Sequence, residues 1–368
     1  MSTWFEVSNT ADVPSPALLF YPERIAENVR RMVKLAGGAV RLRPHIKTHK
    51  SADVLRLQLT QGITKFKCAT IAEAEMAATA GAKDILVAYP LIGPNTRRLL
   101  ELSQQFPLVK FSCLADSVAG IQSLAETFVA KGKAVELLLD IDCGQHRTGV
   151  EPGPDAVKLY TLMSTTRGIK PGGLHAYDGH IHEPDLAQRT ALCDAAFAPV
   201  EKLRADLASA GWPVPRIVAG GTPTFPLHAK HKDRECSPGT CVLWDFSYGD
   251  KFLDLEFLHA ALVLTRVVSK PGGNRLCLDV GHKAIAAENP HPRIKFLNLP
   301  DANAITHSEE HLVVETAHAA EFKVGDCLYG VPRHVCPTVA LYSEAITIRS
   351  GRAIERWKIT ARERRLTI

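Results

Sequence analysis

AVELLLDIDCGQHRTGVEPGPDAVKLYTLMSTTRGIKPGGLHAYDGH, residues 134–180, is the stretch whose reading decides the fold. It opens with an apolar strand, AVELLLDID (134–142), that runs into Asp140, Asp142, His146 and Arg147. A helix-like segment, GPDAVKLYTLMSTT (153–166), follows, and then a second strand, GGLHAYDG (172–179), again ends in polar residues. Strand, helix and strand, with the polar side chains gathered at the strand ends, describe a β/α unit whose chemistry lies at one face.

The same rhythm extends in both directions. Strand-like runs occur at AVRLRPH (39–45), TKFKCAT (64–70), DILVAYP (84–90), VKFSCLA (109–115), PRIVAGG (215–221) and CVLWDF (241–246). Ala-, Leu- and Glu-rich segments at 71–81, 95–105, 116–132 and 185–211 separate them, several closed by Gly. Together with the two strands already quoted this makes eight, the number of a (β/α)8 TIM-like barrel. Residues 24–38 form the helix that precedes the first strand.

Beyond 247 the helices give way to strand-like pieces broken by Gly, Pro and Asn, at 255–269, 274–281, 311–317, 326–332, 338–350 and 353–360. The expected organisation is a barrel over 16–246 and a second, mostly β domain over 247–368, joined by residues 1–15.

Composition removes several function classes. With 46% hydrophobic and 23% charged residues the chain is neither fibrous nor disordered. No apolar run reaches the roughly 18 residues of a membrane span, and the opening MSTWFEVSNTADVPSP has no basic segment followed by an apolar core, so a cytoplasmic protein without a membrane partner is expected. The formal charge of +5 is dispersed, RPHIKTHK (43–50) and RERR (362–365) being the densest basic runs, which argues against a nucleic-acid partner. Nine cysteines form no regular framework and read as small apolar residues in a reducing compartment.

Four groups of residues carry chemical potential. Lys47 lies just past the first strand among Arg43, His45, His49 and Lys50. Crowded cations disfavour a further positive charge, and a neutral amine is what Schiff-base chemistry requires. As a solvated loop, the same run would bind phosphate without catalysis. VAGGTPT (218–224) places Gly220 and Gly221 where backbone N–H groups can approach an anion, with Thr222 and Thr224 as further donors, although a plain Gly-Gly turn has the same signature. Arg147 offers a fixed donor fork, and Tyr177 and His180 follow the next strand, where each also fits a role as a rim residue. In PRHVCPT (332–338), His334 and Cys336 would point to the same side of an extended strand and meet one ion, zinc by ligand softness; a structural pair is the alternative.

Taken together, PSPALLF (14–20), RPHIKTHK, DIDCGQHRTG, HAYDGH, AGGTPT, LDVGHKA (278–284), SEEH (308–311) and PRHVCPT resemble the D-threonine aldolase and D-serine dehydratase family, a branch of the alanine racemase-like, fold-type III pyridoxal 5′-phosphate (PLP) enzymes. The resemblance implies that Lys47 carries PLP, with His45 beside it in the catalytic set. It implies that Arg147 faces the cofactor's phenolic oxygen, that Tyr177 stands beside the ring and that Gly220, Gly221 and Thr222 hold the phosphate. His334 and Cys336 would bind a divalent ion, zinc in preference to manganese, that engages a small D-3-hydroxy amino acid. A homodimer is implied as well.

Two reactions fit such a site: retro-aldol cleavage to glycine and an aldehyde, and dehydration to a keto acid and ammonia. Aldolases of the family tend to have a carboxylate where this chain has Cys336, so dehydration is the favoured expectation. Pro223 within the phosphate segment and Glu363 near the end depart from the family pattern. Racemisation, which needs a second base opposite the lysine, and a non-catalytic PLP carrier, which needs no second domain, are the rival classes.

Overall fold

Seven strands, Lys65–Cys68, Asp84–Pro90, Lys110–Ala115, Val135–Ile141, Ile169–Ala176, Ile217–Ala219 and Arg234–Cys236, lie side by side in chain order, every neighbouring pair parallel. The structure is a computed structural model and describes residues 3–368. Between successive strands run the helices Ile71–Thr79, Pro94–Gln105, Val118–Val129, Pro154–Thr165, Leu186–Ser209 and Phe225–His228. Their starts are locally encoded. Thr70 Oγ1 accepts the Glu73 N–H at 3.1 Å while the Glu73 carboxylate takes the Ala69 N–H at 2.7 Å, and Asp185 caps the long helix through the Gln188 N–H at 2.8 Å.

The expected first strand, 39–45, is not a regular one. Ala39–Arg41 is a 3-10 turn, and Val40 is 73% exposed. Only residues 42–45 are extended, with parallel bridges from Leu42 to Cys236 and from His45 to Lys67 that tie both edges of the sheet together. Pro44 explains the short ladder, because it has no N–H to donate and restricts the residue before it. The expected strand at 241–246 is also corrected. The last barrel strand is Arg234–Cys236, and the later residues form a 3-10 turn, Thr240–Val242, and the helix Phe246–Lys251. Trp244, at φ 55°, breaks extended structure, and Asp245 caps the helix by accepting the Tyr248 N–H at 3.1 Å.

Leu86, Leu114, Leu138 and Val218 form one apolar cluster contributed by four different strands, the inner layer of the barrel. Alternation then fixes which neighbours face inward: Asp140 lies two residues after Leu138, and His175 is the register partner of both Asp140 and Val218.

The chain divides into two compact units, one of residues 32–47, 58–239 and 363–368, the other of residues up to 31, 48–57 and 240–362. This differs from the expected 16–246 and 247–368. Strand Ala17–Phe20 pairs antiparallel with Ala261–Ser269 and parallel with Glu344–Arg349, so the N-terminal contribution to the β unit extends well past residue 15. That unit holds a nine-stranded sheet with an apolar cluster around Val263, Leu276 and Phe296 and another around Leu19, Leu262 and Tyr329. Among the described residues none of the nine cysteines is in a disulfide, six of them are buried, and no helix is long and apolar enough to cross a membrane.

Candidate active site

The interior of the barrel changes from apolar to polar one layer above the leucines. Asp140 Oδ1 and His175 Nδ1 lie 2.7 Å apart, and Thr148 Oγ1 donates to Asp140 Oδ2 at 2.9 Å. Burial lowers the His175 pKa, against the opposing pull of Asp140. Asp142 has a different task from the one its position suggested. Its Oδ1 accepts the N–H groups of Gly144 and His146 at 2.9 and 3.0 Å, which folds the 142–149 turn and presents Arg147. The Arg147 guanidinium carbon lies 5.2 Å from the centroid of the Tyr177 ring.

Tyr177 sits where two glycines leave room. A Cβ on Gly179 would come within 2.2 Å of the ring and one on Gly221 within 2.9 Å. Gly221 therefore serves the ring's approach. Its N–H goes to Thr224 Oγ1 at 3.3 Å and that of Gly220 to the Ala176 carbonyl at 3.0 Å, so neither glycine donates outward as the sequence suggested. Thr222 Oγ1 accepts the Gly239 N–H at 3.2 Å, joining the ends of the last two barrel strands. Next to that junction Ser237, whose N–H donates to the Ala219 carbonyl at 3.2 Å, has a buried hydroxyl without a hydrogen-bond partner. An orphaned hydroxyl at this end of the barrel fits an anion.

A charged chain lies beneath this turn. Thr224 Oγ1 donates to Asp178 Oδ1 at 2.8 Å, His228 Nε2 meets Asp178 Oδ2 at 2.7 Å, and Arg234 Nη1 donates to His228 Nδ1 at 3.0 Å. Arg234 pairs in turn with Glu201 at 2.9 Å. Burial alone would raise the Asp178 pKa, but His228 and Thr224 hold it below the usual carboxylate value. Asp178, His228 and Cys193 are close enough to one another to hold a metal, and all three are buried. Arginine can only donate, however, so Nδ1 is the acceptor and Nε2 carries the proton toward Asp178, which leaves the imidazole without a lone pair for an ion.

Lys47 lies in the 3-10 turn Ile46–Thr48 and is partly exposed. Its N–H donates to His45 Nδ1 at 3.3 Å, which leaves Nε2 of His45 as the protonated nitrogen when the ring is neutral. Arg43 is not part of a basic loop. It is fully buried and bridges Asp84 and Glu235, each at 2.7 Å, within the barrel wall. Lys67 is a lysine that sequence reasoning missed. Burial pushes its pKa down to about 7, with the Lys47 charge adding to the shift and Asp140 and Asp178 opposing it. The available signal was its place inside the strand TKFKCAT, where alternate side chains must face inward.

In the other unit, His334 and Cys336 are not on a strand. His334 is the N-cap of the helix Val335–Ala340, and Cys336 lies in its first turn. The turn nonetheless brings them together. The His334 pKa is raised to about 9: burial opposes the rise, and hydrogen bonding to Cys336, Glu288 and the charge of Asp245 outweigh it. Glu288 Oε1 contacts His334 Nδ1 at 2.6 Å, the arrangement that orients the remaining nitrogen of a metal-binding imidazole. Asp245 accepts the Val335 N–H at 3.0 Å, and burial pushes its pKa up to about 6.

Residues 22–245 match the alanine racemase N-terminal domain family, and residues 260–348 match the putative serine dehydratase domain. A D-threonine aldolase from Arthrobacter sp. is 29% identical over 96% of this chain and 93% of its own length. A D-threo-3-hydroxyaspartate dehydratase from Delftia sp. is 26% identical over 94% of this chain and 96% of its own. Among solved structures, the D-threonine aldolase from Filomicrobium marinum superposes with a TM-score of 0.88 at 26% identity, covering 98% of this chain and 99% of that one.

Proposed function

The chain belongs to the alanine racemase-like, fold-type III family of PLP enzymes, and on that premise we propose that it is a lyase that cleaves the Cα–Cβ bond of a small D-3-hydroxy amino acid. The end-to-end likeness to a D-threonine aldolase carries this reading. It reverses the preference for dehydration that Cys336 suggested.

The barrel residues fit the cofactor. Lys47 supplies the amine that anchors it, Tyr177 flanks its ring and Arg147 offers donors beside that ring. Thr222 and the orphaned Ser237 hydroxyl receive its phosphate. Bound PLP supplies an electron sink for charge that develops at the substrate's Cα. Cleavage of Cα–Cβ releases the proton of the β-hydroxyl, which would pass to solvent, and requires one at Cα, which the Lys47 amine would supply, while His45 holds the Lys47 backbone in place. The His334 nitrogen and Cys336 sulfur suit a borderline-soft divalent ion, zinc before manganese, that acts as a Lewis acid on an oxygen-bearing substrate.

Dehydration is the second reading, favoured by the sulfur donor, because a thiolate-bound zinc assists the departure of hydroxide. Purified protein supplied with PLP and zinc or manganese is incubated separately with D-threonine, D-serine and D-threo-3-hydroxyaspartate. Glycine and an aldehyde are the expected products. A keto acid with ammonia as the sole product would transfer the assignment to dehydration.

A further inference from the structure

The roles proposed above leave a second lysine in the barrel without a task. Lys67 is the register partner of Leu86, a member of the inner leucine layer, so its side chain enters the same interior. It is 2% exposed. Among the described residues no side chain or carbonyl accepts a hydrogen bond from its ammonium, which instead faces the Tyr177 ring 5.7 Å from the centroid.

The charged groups around it are engaged elsewhere. Arg43 bridges Asp84 and Glu235, Asp140 holds His175 and Thr148, and Asp178 holds His228 and Thr224. Lys47 and Arg147 add positive charge to the same region, Arg147 against the same aromatic ring. A lysine placed here for stability would be paired, since a buried ammonium without acceptors is destabilising and an apolar side chain of the same length is not. What its position lacks is an oxyanion.

We propose that Lys67 is an oxyanion-binding residue of the barrel interior, its ammonium donating to an oxygen of the group bound beside Lys47 and Tyr177. The inference rests on the reading that Lys47 anchors PLP. The oxyanion comes from the cofactor or from the carboxylate of the amino acid, and the charge-assisted bond is the same in both cases. Its lowered pKa is consistent with this task, because the bound anion is what holds the proton on the nitrogen.

The test compares the full-length wild type with Lys67→Met, and with Lys67→Arg as the charge-retaining variant. Each protein is loaded with PLP, reduced with borohydride and peptide-mapped. A modified Lys47 is expected in all three. Modification of Lys67, or of no lysine, overturns the cofactor reading and this proposal together. With Lys47 modified, two dissociation constants are read: PLP with the apo-protein, and D-alanine with the holo-protein by its change in the visible band.

Lys67→Met is expected to weaken one of them about tenfold or more, with Lys67→Arg recovering much of the loss. Weaker PLP binding assigns the oxyanion to the cofactor, and weaker D-alanine binding alone assigns it to the substrate carboxylate. Both constants within twofold of wild type overturn the proposal and leave the cofactor reading standing. Lys67→Gln repeats the measurement if the methionine variant does not fold.

Discussion

Asp178→Asn changes no volume, yet the structure predicts a large effect. The carboxylate accepts from Thr224 on one oxygen and from His228 on the other, at 2.8 and 2.7 Å, with all three side chains buried. Asparagine can keep only one of these bonds. With its oxygen toward Thr224, its NH2 faces the His228 Nε2–H, and the imidazole cannot switch tautomer because Arg234 donates to Nδ1. With the amide turned over, Thr224 loses its acceptor, and Gly221, which donates to Thr224, loses its fixed partner. A lost charged hydrogen bond together with an unsatisfied buried donor amounts to about 2–4 kcal/mol, roughly 5–10 °C in Tm for a unit of this size. Thermal unfolding of the apo-protein measures it, and titration with PLP should show weaker binding because the 220–224 turn has lost its support. The gap should also depend on pH in one direction. The folded pKa of Asp178 lies below its ordinary 3.8, so the stabilisation is complete above that value and is lost only as pH falls through the folded pKa. A Tm within 1 °C of wild type, with PLP affinity unchanged, would refute the claim that this chain of side chains supports the turn.

Lys47→Ala should abolish both the borohydride-stable cofactor adduct and turnover, and an adduct that persists would place the anchor elsewhere. Gly221→Ala introduces a Cβ 2.9 Å from the Tyr177 ring, which must then move by about half an ångström; PLP affinity should fall several-fold with little change in Tm, and equal affinity would show that the ring does not line the cofactor. His334→Ala and Cys336→Ala should each lower bound zinc, measured by atomic emission after dialysis, whereas Asp178→Asn should not; the opposite pattern would move the metal to the barrel cluster. Burial holds the pKa of His49 down at about 3 and lowers that of His175, so the unfolded chain binds more protons than the folded one below 6.5. Stability should therefore fall with acidification from about pH 6.5, by up to about 1.4 kcal/mol per pH unit for each histidine, and His49→Gln should flatten the slope seen in urea titrations.

The difference between Arg43 and Lys67 shows where sequence reasoning stops at such a site. The barrel rhythm was legible because each strand's apolar residues recur with its own period, and the polar ends of 134–180 mark the mouth without knowledge of any partner strand. Arg43 and Lys67 depend on register, which no single segment contains. Arg43 looked like part of a basic loop and is instead buried by two carboxylates that arrive 41 and 192 residues later in the chain. Lys67 drew no reading within the strand segment TKFKCAT, and its pairing with Leu86 is what places it on the inner face. The same limit explains the turn at 220–224, whose glycines were legible as an anion site while their N–H groups are taken by Ala176 and Thr224. It explains His334 and Cys336 as well: the two meet across a helix start rather than along a strand, because a capped turn and an extended strand both bring residues i and i+2 within reach, and the sequence pattern is the same for either. Residue type and spacing thus name the donors, whereas the direction in which each donor points is a property of the neighbouring strand or cap.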